Sequence, residues 1–197
     1  MYAWELPTSL EVGGKEYAIR TDYRVILDIL SAMNDPEIFE PGMTEDEKKI
    51  EQTMTMLQIL YIDFDSIPPK DYQEAAEKAV DFIDCGIKGD DKPKPRTMDW
   101  EQDAPIIAPE VSKVAGRDIR VGETHWWEFF GYYLGIGEGV FSTIVSIREK
   151  RRKGKKLEKW EKEFYQNNKS LIDLKSKKIE RSEEEKEELR SLFGLKK

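Results

Sequence analysis

The chain has one cysteine and one histidine in 197 residues. A lone Cys85 excludes a disulfide within the chain and suits a reducing compartment. A lone His125 leaves every histidine-based constellation short of members. Zinc would need Cys or carboxylate partners, and no CxxC or HxxxH spacing surrounds Cys85 or His125. GxSxG is missing, so a serine triad would have to form around His125 without its usual elbow. Long apolar runs are missing too. The longest apolar region, 129–147, is broken by four glycines and Glu138, whereas a membrane helix needs roughly 18 uncharged residues. The opening MYAWELPTS has no basic n-region and no apolar stretch, and is not expected to act as a signal peptide. These absences predict a soluble, cytoplasmic, non-enzymatic protein with no metal and no cofactor.

Charge is plentiful and unevenly placed. The net charge is −8. Residues 1–112 carry 11 basic and 25 acidic side chains, or −14; residues 113–197 carry 21 and 15, or +6. Such a division points to an interaction surface rather than to a fold.

The periodicity predicts a mainly α protein: one helical domain over 1–174 with an N-terminal β-hairpin near 10–19, then a charged helical tail over 175–197. Gly13-Gly14 marks the hairpin turn. Thr21 or Asp22 caps a helix with Val25, Ile26, Ile29 and Leu30 on one face, ended by Asn34-Asp35-Pro36. Thr44-Glu45-Asp46-Glu47 is a capping box that opens a helix through Ile50, Met54, Leu57, Ile59 and Leu60. Ser66–Pro69 punctuates, a helix over Asp71–Cys85 follows, and Gly86 closes it. After an extended loop over Lys88–Arg96, a helix is expected over Asp99–Ala115, with a kink or restart at Pro109. Ser182-Glu183-Glu184-Glu185 predicts a last short helix.

HWWEFFGYY is the densest aromatic stretch. With Thr124 as cap, a helix places Trp126, Phe129, Phe130, Tyr133 and Leu134 on one face. A stacking platform for single-stranded nucleic acid would interleave such rings with Arg and Lys. Here Glu128 is the only charge between His125 and Gly137, so the stretch reads as core. Gly135-Ile136-Gly137-Glu138-Gly139 follows a helix instead of a strand, and Val140 stands where the third glycine of a dinucleotide loop belongs. A second helix is expected from Val140 onward into IREKRRKGKKLEKWEKEF. Its segment 148–156 holds seven basic residues and one acidic one, enough to meet phosphate. The acidic first half argues against nucleic acid as the partner.

Several of these motifs together resemble the bacteriophage gene-product-fifteen family of tailed phages. The resemblance rests on Trp4-Glu5-Leu6-Pro7, on the run from Tyr17 to Arg24 (YAIRTDYR), on Asp99-Trp100-Glu101-Gln102-Asp103, on His125-Trp126-Trp127 and on Ile147-Arg148. It covers roughly residues 2–175, and Pro109 departs from the unbroken helix expected after the DxxxD segment. The resemblance implies a tail assembly chaperone that coats the tape measure protein in the host cytoplasm and is absent from the mature virion. It implies no catalytic residues. The alternatives are a structural tail protein kept in the virion, and a nucleic-acid-binding module using 148–156. Self-association and contact with other tail proteins stay open.

A partner surface is expected along the C-terminal helix, at Arg148, Arg151, Arg152, Leu157, Trp160, Phe164 and Leu171. Leu157, Trp160, Phe164, Leu171 and Ile172 recur near helical spacing beyond the aromatic stretch. The competing reading is that Trp160 and Phe164 pack back onto the domain.

Overall fold

The computed structural model of the chain describes residues 4–33, 43–87 and 96–175. Among the described residues a hairpin leads into eight α-helices, the mainly α arrangement that the periodicity predicts. β1 (Ser9–Val12) and β2 (Lys15–Ala18) pair antiparallel, with Leu10 opposite Tyr17. Gly13 and Gly14 between them take φ of 58° and 77°, as a tight turn between right-twisting strands requires. A side chain at Gly13 would also meet the Asp71 carboxylate, 3.0 Å from where its Cβ would sit. Leu10, Val12 and Tyr17 are buried. The third helix packs over β1, so the hairpin is a wall of the core and not a free ribbon.

α1 (Tyr23–Met33) starts where Asp22 Oδ1 accepts the Arg24 N–H at 2.9 Å, a capping bond. Tyr23, Ile26 and Ile29 form its buried face, with Val25 and Leu30 half-buried beside them. The stop predicted at Asn34-Asp35-Pro36 lies outside the described residues. α2 (Glu45–Leu60) opens on the predicted capping box, with the Thr44 N–H donating to Glu47 Oε2 at 2.7 Å. Ile50, one of the apolar positions read along this helix, is 63% exposed. The first turns of α2 are rich in Glu and Lys and stand clear of the core, which the helix joins only at Thr55. Two short turns, Phe64–Ser66 and Pro69–Asp71, lead to α3 (Tyr72–Ile83), which buries Ala75, Ala79 and Phe82. Gly86, at φ 69°, donates its N–H to Asp81 O at 2.8 Å and closes the helix as predicted. The loop expected over 88–96 lies, up to residue 95, outside the described residues.

α4 (Ala104–Ala115) begins five residues later than expected. Residues 99–103 form a turn instead, because Asp99 Oδ1 accepts the N–H groups of Glu101 and Gln102 at 3.0 and 2.7 Å. Pro109 neither breaks nor restarts the helix. The N–H it lacks would have bonded Pro105 in the first turn, so the loss is one bond at a helix end. α5 (Trp126–Leu134) is capped by His125 and not by Thr124: His125 Nδ1 accepts the Trp127 N–H at 3.0 Å. The Thr124 hydroxyl accepts from Arg117 Nη2 instead, at 3.0 Å. Trp126 and Phe129 are buried, and Phe130 and Tyr133 half-buried. Leu134 is 60% exposed, correcting its place on the inner face, since it ends the helix and the chain turns away at Gly135.

α6 (Val140–Arg152) does not run on into the KWEKEF segment as expected. It stops at Lys153 and Gly154, the latter at φ 64°. The chain restarts as α7 (Lys159–Asn167), where the Glu158 N–H donates to Glu161 Oε2 at 2.8 Å, and as α8 (Lys169–Ile172). Beyond Lys175, the expected tail helix and its capping box at Ser182 lie outside the described residues.

Candidate partner-binding site

The motifs behind the family resemblance find one another in space. Trp126 donates its backbone N–H to Thr21 O at 2.7 Å, and Tyr23 returns one to Thr124 O at 2.9 Å. The Tyr23 ring stacks on Phe129 at 4.4 Å with 4° between planes. His125 Nε2 lies 2.9 Å from Pro7 O. A carbonyl only accepts and Nδ1 is itself an acceptor here, so the ring carries its proton on Nε2. Both nitrogens thus serve the backbone. The indole N–H groups of Trp126 and Trp127 donate to Ile83 O and Phe82 O, each at 2.8 Å, and satisfy the last carbonyls of α3. The aromatic stretch is core, as predicted, and its polar edges tie α3, α5 and the N-terminal segment together.

A second, smaller core lies under the C-terminal helices. Ile144, Ile147 and Ile172 are buried, with Ile106, Leu157, Phe164 and Leu171 packed against them. Arg148 falls on the same face, since Phe141, Ile144 and Arg148 recur at helical spacing. It is 7% exposed, and its partner Asp103 is fully buried. Nη1 and Nη2 donate to the two Asp103 oxygens at 2.7 and 2.8 Å. Nε donates to Ile172 O at 2.6 Å, Nη2 also to Leu171 O at 2.9 Å, and Nη1 also to Thr97 O at 3.2 Å. A guanidinium has five donors, and all five are used. The expectation that Arg148 meets a partner is therefore corrected: it holds the DxxxD turn, α6 and α8 together. Asp103 Oδ2 also accepts the Asp99 N–H at 2.9 Å, which completes the pair's satisfaction.

The other six expected contact residues divide. Arg151 pairs with Asp173 and lies 4.0 Å over the Tyr165 ring. Leu157, Phe164 and Leu171 pack inward on the second core, the competing reading for this segment. Trp160 is 57% exposed and Arg152 is exposed as well. Among the rest of segment 148–156, Lys150 donates to Glu161 Oε1 at 2.6 Å and Lys153 pairs with Glu149. Glu161 is buried, and the Lys150 hydrogen bond, followed by the Glu158 N–H, holds its carboxyl below the ordinary range. Cys85 is half-buried, and burial followed by the Asp84 charge pushes its thiol up to about 12, away from thiolate chemistry.

A feature with no signal in the periodicity is a groove of about 480 Å³ between α1 and the start of α4. Leu27, Trp100, Ile107, Ala108 and Phe129 supply its apolar lining. Arg24 and Arg120 also line it, each already paired, with Asp22 at 3.3 Å and Asp118 at 2.8 Å. Asp28 and Glu101 border the groove as well, and among the described residues neither pairs with a cation. Ser31 Oγ donates to Glu101 Oε1 at 2.6 Å. Among the described residues, no group of three or more His, Cys, Asp or Glu is placed to hold a metal, and no helix is long and apolar enough to cross a membrane.

Neither curated proteins nor solved structures match the chain. A family model described as Bacteriophage Gp15 protein matches residues 4–174, a span that takes in every motif joined above. The chain belongs to the bacteriophage Gp15 protein family, and is in that sense a phage structural or assembly protein.

Proposed function

We propose that this protein is a tail assembly chaperone that binds the tape measure protein and keeps it soluble until the tail tube forms around it. The observation that carries this reading is the family match over 4–174, taken with the use the fold makes of the matched residues. Pro7, Thr21, Tyr23, His125 and Trp126 among them bind one another, as do Asp103 and Arg148, while isolated apolar points such as Trp4 and Trp160 stay exposed. A long helical partner with exposed apolar stripes aggregates on its own. Amphipathic helices that present an apolar groove and a charged exterior can cover such stripes. Modest affinity at each contact, repeated along the partner, permits both retention and displacement. The protein works by binding, not by catalysis, in the host cytoplasm.

Nucleic acid is the weaker reading. Four of the seven cations in 148–156 already have acidic partners within the chain: Arg148 with Asp103, Lys150 with Glu161, Arg151 with Asp173 and Lys153 with Glu149. Co-expression with the tape measure protein of the same phage should raise that protein's soluble yield and co-purify the two. An unchanged yield with no co-purification overturns the chaperone reading. Mass spectrometry of purified virions separates it from a structural tail protein, which would be present in the particle.

A further inference from the structure

The groove between α1 and α4 and the exposed Trp160 are complementary features of one chain. The groove offers about 480 Å³ lined by aliphatic and aromatic side chains, room for an indole. Its uncompensated rim is acidic, at Asp28 and Glu101. Burial, and then the Glu101 charge, hold the Asp28 carboxyl above its ordinary range, so an arriving cation would relieve the site. Trp160 stands 57% exposed at the start of α7, where its neighbour Phe164 turns inward. Around it, Lys155, Lys156, Lys159 and Lys162 are exposed, against exposed Glu158 and Glu163. An outward tryptophan is the residue type that anchors interfaces, and the exposed lysines near it in sequence give its segment a positive charge. Most of the groove's lining comes from the half of the chain with charge −14, with Ile119, Arg120 and Phe129 added from the other half, and Trp160 lies in the half with charge +6.

We infer that the α1–α4 groove receives Trp160 of a second copy of this chain, with lysines of that copy meeting Asp28 and Glu101. Each copy brings one groove and one Trp160, so the contacts close reciprocally in a two-fold dimer or run head to tail into a ring or a longer assembly. This inference concerns the chain alone and does not depend on the tape measure reading.

Sedimentation of the full chain over a concentration series tests it. Wild type should show a mass that rises with concentration. Trp160→Ala should weaken association by about thirtyfold or more, the loss typical of a truncated anchor. Ala104→Trp, which fills the groove mouth, should do the same. Asp28→Lys, at an exposed position, provides a groove variant independent of packing. The decisive sample mixes Trp160→Ala with either groove variant. Each alone should be monomeric, while the mixture should form a 1:1 dimer and nothing larger, because only one intact contact can form. Wild type that stays monomeric, a Trp160→Ala variant that associates like wild type, or a mixture that stays monomeric overturns the inference.

Discussion

The two cores of this molecule are built on different physics. The N-terminal core is aromatic and apolar: Trp126, Phe129 and Tyr23 stack, and Trp100 closes on Tyr133 at 5.0 Å. Its polar groups are neutral: backbone amides, indole N–H groups at the end of α3, and hydroxyls such as that of Tyr61, which donates to Ala75 O at 3.0 Å. The C-terminal core has three buried isoleucines, and its centre is an ion pair, Arg148 with Asp103, that also binds three backbone carbonyls. A small apolar cluster cannot set the positions of α6 and α8 by burial alone. A five-donor side chain can, because each of its bonds has a fixed direction. The first core supplies most of the stability, and the second supplies geometry.

The largest effect should come from the first core. Trp126→Ala should destabilise the protein by about 3–5 kcal/mol, the usual cost of truncating a buried aromatic, and should also leave Ile83 O without its indole donor. Urea denaturation measures it. A wild-type midpoint would break the comparison at its stronger half.

Arg148→Met should approach that size, about 3–5 kcal/mol, since it leaves Asp103 buried and unpaired. The double variant Arg148→Met/Asp103→Leu should recover part of the loss, because no lone charge remains. Recovery should stop short of wild type, as the carbonyls of Thr97, Leu171 and Ile172 lose their donor. If the double variant were as unstable as the single, the charge itself would not be the cause.

Much of the first core is legible in the sequence. Helical spacing, the Thr44 capping box, the Gly13-Gly14 turn and the crowding of rings at 126–133 each announce themselves locally. The second core is less so. By charge, Arg148 reads as one of seven cations in a single run, and residue type alone does not tell it from Arg152. The signal that could have separated them is its place on the Phe141–Ile144 stripe, together with a DxxxD segment able to bury a carboxylate. Gly154 also misled: a single glycine in a lysine-rich helical pattern is tolerable, but here it takes positive φ and splits α6 from α7. The groove needs α1, α4 and α5 side by side, and no periodicity encodes that. His125 as a cap in place of Thr124 follows from the bond its Nδ1 makes, which residue identity does not reveal.

Phe164 and Trp160 sharpen the comparison within one helix. Phe164→Ser should cost about 2 kcal/mol, less than a full core aromatic because the ring is half-buried. Trp160→Ser should change stability by no more than about 0.5 kcal/mol, as for exposed sites elsewhere. Equal losses from the two would mean that Trp160 also packs inward.

The effect of pH on Glu161 is smaller than that of any core truncation. Its folded carboxyl titrates below the ordinary carboxylate range, chiefly through the hydrogen bond from Lys150. A lowered folded value contributes stability in full above the unfolded value, and that contribution is lost as pH falls through the folded one. Unfolding measured at pH 6 and pH 3 should therefore show a Glu161-dependent loss at the lower pH, absent in Glu161→Gln. The size should be about 1 kcal/mol, reduced from a fully buried charged hydrogen bond because Lys150 reaches water. A pH dependence identical in both proteins would remove Glu161 from the account.

The most direct test of the division into two cores is residue-resolved hydrogen exchange on Arg148→Met beside wild type. Protection should fall in α6 and α8 and in the turn at 99–103, while amides of α1 and α5 such as Ile26 and Phe129 exchange as in wild type. A uniform loss across both regions, or none around α8, would contradict the claim that this arginine holds the second core in place.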